Sequence, residues 1–206
     1  MIEADWINIL FFSCGLPSMI MLYRAAYVAK SLSNAFFGTA ILSFLIGTAV
    51  GYFDQVDSAL AREWGDLVGI TLVLCGLFVK TRNSKPVFAR FPLPMTMLPI
   101  LGVFFYPLII NADVVKDLLT ITYQGGAILV SILVITINHL MYKHRSILIV
   151  AYVIFLVAYV SYWFIDFAEV ELIQTIGMIL FSVGMLVAAF GFRKVSLSKL
   201  NNKSDL

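Results

Sequence analysis

The chain has 206 residues, of which 61% are hydrophobic and 13% charged, with a formal net charge of +2. Soluble domains run at about 45–50% apolar and about 25% charged. No water-soluble fold of this length could hide so much apolar surface, so lipid must cover part of it.

Seven apolar stretches follow one another with short turns between them. At roughly 20 residues per span, seven spans leave no room for a separate soluble domain. Residues 1–5 carry Glu3 and Asp5 and no Lys or Arg. A cleavable leader wants a basic start, so the first apolar stretch, 6–27, is expected to stay in the membrane, with Pro17 bending it. The second, 34–53, carries Ser43, Gly47 and Gly51 four apart. This is a small-xxx-small seam for close helix contact, within the bundle or with another protomer. The third, 60–79, opens on a crowd of charges, Arg62, Glu63 and Asp66. Its Gly69 and Gly76 stand seven apart, as do Gly177 and Gly184 in the seventh. The echo could mark a parallel repeat, but Gly191 extends the seventh-span stripe, and smooth packing faces explain it better.

The fourth stretch, 91–110, has Pro92 and Pro94 at its start and Pro99 and Pro107 inside, each of which frees a carbonyl and kinks a helix. In the fifth, 114–138, Asp117, Gln124, Ser131 and Asn138 recur every seven residues. Seven is nearly two turns, so they share one face, widened by Thr120 and Tyr123. The sixth, 146–165, shows Tyr152 and Tyr159 at the same spacing, continued by Asp166, with Trp163 one turn past Tyr159. Both faces are expected to point into the bundle, because lipid cannot satisfy polar groups. The seventh, 170–192, is followed by a polar tail, 195–206, that reads as a short disordered end.

The charges orient these spans. Alternating helices put Arg24, Lys30, Lys80, Arg82, Lys85, Arg90, Lys143, Arg145, Arg193, Lys194, Lys199 and Lys203 on one side. Only Arg62 and Lys116 remain for the other, which takes nearly all the carboxylates. Positive loops stay cytoplasmic, so the N-terminus is expected outside and the tail inside. Trp6, Trp64 and Trp163 fall near span ends, where interfacial belts favour such rings. If Lys80 marks the inner edge, Asp66 lies about 21 Å above it at 1.5 Å per residue. That is inside a hydrocarbon core of about 30 Å.

Several chemistries are disfavoured. No lysine stands at mid-depth in a span to hold retinal. His139 and His144 are the two histidines, both near the inner interface, so a buried pair of haem ligands is missing. No Cys/His cluster has metal-ligand spacing, no phosphate-binding glycine loop occurs, and no histidine stands near the outer carboxylates for a triad. Cys14 and Cys75 fall in different spans at different depths, so no disulfide is expected.

The sequence therefore predicts an all-α, polytopic membrane protein. Residues 1–194 form a seven-transmembrane-helix bundle in a plasma or bacterial inner membrane, without cofactor, metal or nucleic-acid partner. The expected function is non-enzymatic, that of a sensor or accessory subunit. A small ligand or partner would bind an outward-facing polar cavity at Asp66, Gln124, Tyr159, Trp163 and Asp166, and a cytoplasmic protein would read the state at the basic loops. The alternative is a small-solute or ion transporter using the same face. In either case the chain could pair with further copies of itself.

Overall fold

The computed structural model describes residues 2–53, 58–84, 92–109, 113–141 and 171–204. Among the described residues all regular structure is helical. In chain order it comprises α1 (Ile2–Ala29), α2 (Leu32–Phe53), α3 (Ser58–Ser84), a 3-10 turn (Leu93–Met97), α4 (Ile100–Ile109), α5 (Asp113–Met141) and α6 (Glu171–Ser204). Four stretches are long and apolar enough to cross a bilayer: Trp6–Ala29, Leu32–Val50, Trp64–Asn83 and Thr175–Lys194. They fall on the first, second, third and seventh expected spans. Helix α5 occupies the fifth, with a shorter apolar stretch at Ile121–Leu133. The sixth span lies outside the described residues.

Helix α3 is the hub. It packs on α2, on α5 and on the turn and short helix of the fourth stretch, while α1 packs on α2 and α6. Two-thirds (67%) of the α3 span is buried inside the protein, against 28% for α1. Lipid tails are as apolar as leucine, which leaves close packing and hydrogen bonds to hold helices together. The small residues serve that packing. A Cβ on Gly65 would lie 2.6 Å from the Cα of Gly47, and the Ser43 hydroxyl donates to the Gly65 carbonyl at 3.0 Å. The second-span seam thus meets α3 inside the bundle. Gly69 and Gly76 are the dents that receive the rings of Phe44 and Phe37 from α2.

Those rings build two layers. Near one end, Phe181 of α6 stacks on Phe11 of α1 at 6.2 Å and meets Phe44 of α2 edge-on at 5.4 Å. Near the other, Phe37 stacks on Phe192 at 4.7 Å, and the Lys80 ammonium stands 6.0 Å from the Phe192 ring centre. Such pairs add about 0.5–1.5 kcal/mol beyond area burial. They also fix direction: α1, α3 and α6 run parallel and α2 returns between them. Arg24, Lys30, Lys80, Arg82, Arg193 and Lys194 consequently gather toward one end of the bundle, the basic end.

At that end α1 turns into α2 through two residues. The Ser31 N–H donates to the Ala26 carbonyl at 3.0 Å, closing the helix as glycine-ended helices do. The left-handed position is held by Lys30, with φ of 48°. A side chain there costs about 1–2 kcal/mol.

The fourth stretch is broken where the sequence suggested one kinked helix. An α-helix would hand the Met95 carbonyl to the N–H of residue 99, which in Pro99 does not exist. Leu98 donates to Met95 instead, at 3.3 Å. The chain makes a 3-10 turn and restarts at Ile100, so Pro99 precedes a helix rather than kinking one. The restarted helix has 10 residues, about 15 Å of rise, half the thickness of a hydrocarbon core.

The tail also departs from expectation. α6 has 34 residues and continues to Ser204, where a disordered end was expected. No glycine or proline follows Gly191, so nothing in the tail stops a helix already propagating, and elongation is far easier than nucleation. Its length of about 51 Å exceeds the core, so its last turns extend past the basic end.

Candidate functional site

Seven hydroxyls within helices are satisfied by their own backbone and drop out as site candidates. Ser18, Thr39, Thr71, Thr81 and Ser182 each donate to the carbonyl four residues back, at 2.6–2.9 Å. Thr122 and Thr136 do the same from exposed positions on α5. A hydroxyl bonded to its own backbone can face lipid, so these two are exceptions to the rule that polar side chains turn inward.

Asp66 is different in kind. It is a partly buried carboxylate on the most enclosed helix, and it takes part in a polar interaction of its own. It follows Gly65, the point of closest approach to α2, and precedes the buried Leu67. Three residues further along α3, Gly69 is filled by the Phe44 ring, which belongs to the Phe11–Phe44–Phe181 layer. Asp66 therefore lies one helical turn from the level of this ring layer, on the side away from the basic end.

The α5 face is resolved at Ser131, which is 2% exposed, and at Ala127, which is 1% exposed. Leu129, Ile132 and Leu133 are exposed. Ser131 thus points into the bundle, and Gln124, seven residues earlier, shares its register. Gln124 is described as part of α5 without its side chain. Tyr159, Trp163 and Asp166 lie outside the described residues, so of the five expected site residues only Asp66 is placed with its side chain. Tyr123, expected to widen the polar face of α5, donates its hydroxyl to the Pro99 carbonyl at 2.6 Å. A side chain on Gly102 would run into that hydroxyl.

This Tyr123–Pro99 bond locks α5 to the restart of the fourth stretch, and sequence reading did not find it. The signal was present in Pro99, whose missing N–H forces a turn with exposed carbonyls. The partner, 24 residues away, carries no local mark. Interhelical bonds in bilayers average about 0.6 kcal/mol. Tyr123→Phe should therefore lower the unfolding free energy by about 1 kcal/mol or less in a denaturant titration in bicelles. An increase in stability would show that the bond is strained rather than supporting.

Both cysteines are free and buried. Comparison of the chain with protein-family models, with curated proteins and with solved structures finds no match.

Proposed function

We propose that the chain is a seven-span membrane sensor or accessory subunit, N-terminus outside and C-terminus cytoplasmic, in a plasma or bacterial inner membrane. A small ligand or partner binds a cavity open to the outside, lined by Asp66 and by residues of the fifth and sixth spans, Gln124, Tyr159, Trp163 and Asp166. The observation that carries this reading is the carboxylate of Asp66 above the Phe11–Phe44–Phe181 layer. A charge below the headgroups costs roughly 2.5–3.5 kcal/mol on insertion scales at mid-membrane, and less toward the edge. The polar contact that Asp66 makes within the bundle offsets part of that cost, and the aromatic layer bounds the proposed cavity from below. The orientation is supported by the gathering of basic side chains at the far end of the bundle.

A transporter is the second reading, favoured by one observation. Ser131 is buried in the bundle seven residues beyond Gln124, so the polar face of α5 continues past that layer. It does so beside a discontinuous helix, a feature that transporters place at their binding sites.

Cysteine accessibility separates the two. In a background with Cys14 and Cys75 replaced by alanine, single cysteines at positions 57, 66 and 124 should react with an impermeant thiol reagent in intact cells. Position 85 should react only after permeabilisation, and position 131 from neither side. Reaction of 131 from the cytoplasmic side would turn the assignment to a transporter. An unreactive position 66 would remove the cavity, and labelling of 85 in intact cells would overturn the topology.

A further inference from the structure

The basic end combines four features. The candidate spans end or begin at Ala29, Leu32, Asn83 and Lys194, so Lys30, Lys80, Arg82, Arg193 and Lys194 all stand within a few residues of a span end. That is the depth of lipid headgroups. Lys80 is steadied over the Phe192 ring, and Phe37, stacked on the same ring, ties the start of α2 to this level. The start of α2, a helix of 22 residues, adds the positive end of its helix dipole beside the Ser31 and Ser33 hydroxyls, which bond each other at 3.2 Å.

The fourth feature is Lys30 itself. It is exposed, and it occupies the left-handed position of the α1–α2 turn that glycine fills without strain. A backbone outlier of this kind is a reason to look for a use of its side chain. What the lysine adds over glycine is a long cation placed at the membrane surface.

We propose that this end of the bundle binds the phosphate headgroups of anionic phospholipids, with Lys30, Lys80, Arg82, Arg193 and Lys194 supplying the cations. Charge complementarity and depth select the occupant. Clustered Lys and Arg at span ends face the most concentrated phosphate available, the anionic leaflet, and basic recesses between helices bind such headgroups. The exposed side chains of Tyr27, Val28 and Leu32, on either side of Lys30, offer apolar surface for the acyl chains. The inference rests on the proposed membrane embedding, and it is independent of what the Asp66 end binds.

The test uses the full chain, delipidated in detergent and then offered phosphatidylglycerol or phosphatidylcholine. Retained lipid is counted by native mass spectrometry and thermal unfolding is followed in parallel. The expected result is preferential retention of phosphatidylglycerol with a raised unfolding temperature, both weakened by salt. Lys30→Gly should fold at least as well, because glycine suits the turn, yet lose about fivefold in lipid preference, the worth of one near-surface cation. Combined Arg193→Gln and Lys194→Gln should lose more.

Equal retention of the two lipids overturns the proposal and leaves these cations to an acidic protein partner. An unchanged preference in Lys30→Gly together with the double variant also overturns it. Inorganic phosphate added without lipid should not raise the unfolding temperature, and if it does, the site serves a free anion. Loss of lipid preference with position 66 still labelled from outside would sink this inference alone.

Discussion

Gly65→Ala is expected to destabilise the bundle by roughly 1–3 kcal/mol, the usual range for overpacking a tight interior, and Gly125→Ala to leave it unchanged or slightly more stable. The two substitutions add the same methyl group to a helix. At Gly65 the new Cβ lies 2.6 Å from the Gly47 Cα, 3.0 Å from the Ser43 carbonyl oxygen and 3.2 Å from the Gly47 nitrogen. All three are backbone atoms, so no rotamer change relieves the contact. The helices must separate, and the Ser43 bond to the Gly65 carbonyl then lengthens with them. At Gly125 nothing among the described residues stands within 4 Å, and alanine gains about 0.5–1 kcal/mol over glycine inside a helix. Gly69 and Gly76 are intermediate cases, because their added methyl groups meet phenylalanine rings rather than backbone. Denaturant unfolding in bicelles measures the whole series. Equal effects at 65 and 125 would mean that the α2–α3 crossing is looser than this geometry.

How much of this was legible in the sequence depends on what kind of residue carried it. The seam at Ser43 and Gly47 and the dents at Gly69 and Gly76 could be read, because small residues at helical spacing have few other uses in lipid. Their partner Gly65 could not, since Trp64 and Asp66 flank it and draw attention to charge instead. The inward face of α5 was legible from its seven-residue period, and Ser131 bears it out where the side chain is described. The outward Thr122 and Thr136 were not legible, because a hydroxyl that bonds its own backbone looks the same in sequence as one that needs a partner. Pro99 announced a break but not its form, since a missing N–H can bend a helix or end it, and packing on α3 decides. The two ring layers left no trace at all. Phenylalanine is equally at home in lipid and in the core, and among 17 of them nothing local singles out Phe11, Phe37, Phe44, Phe181 and Phe192. For the proposed Asp66 site, the sequence singled out the carboxylate by its expected depth, whereas the ring layer near it came only from the structure.

That layer gives the last prediction. Phe181→Ala should cost roughly 2–4 kcal/mol, while Phe190→Ala on the same helix should cost close to nothing. Phe181 is 1% exposed and touches rings from two other helices, whereas Phe190 is 54% exposed and faces outward. In a water-soluble core a phenylalanine truncation costs about 3–5 kcal/mol, part of it for lost transfer from water and part for the cavity left behind. Here the unfolded reference is still in lipid, so the transfer part shrinks. The cavity part remains, because neighbours held by Gly69 packing and by the α1–α6 contact cannot collapse fully into the gap. The same cavity has a functional reading. If the ring layer seals an outer pocket at Asp66, a cysteine at position 185, one turn beyond Phe181 toward the basic end, should be inert to an impermeant reagent in the parent chain. Met185 is only 2% exposed there. With Phe181→Ala the layer opens, and the same cysteine should react from outside. Reaction at 185 in the parent chain would show that water already passes the layer, which would take it out of the sensor reading and return the whole face to a transport path.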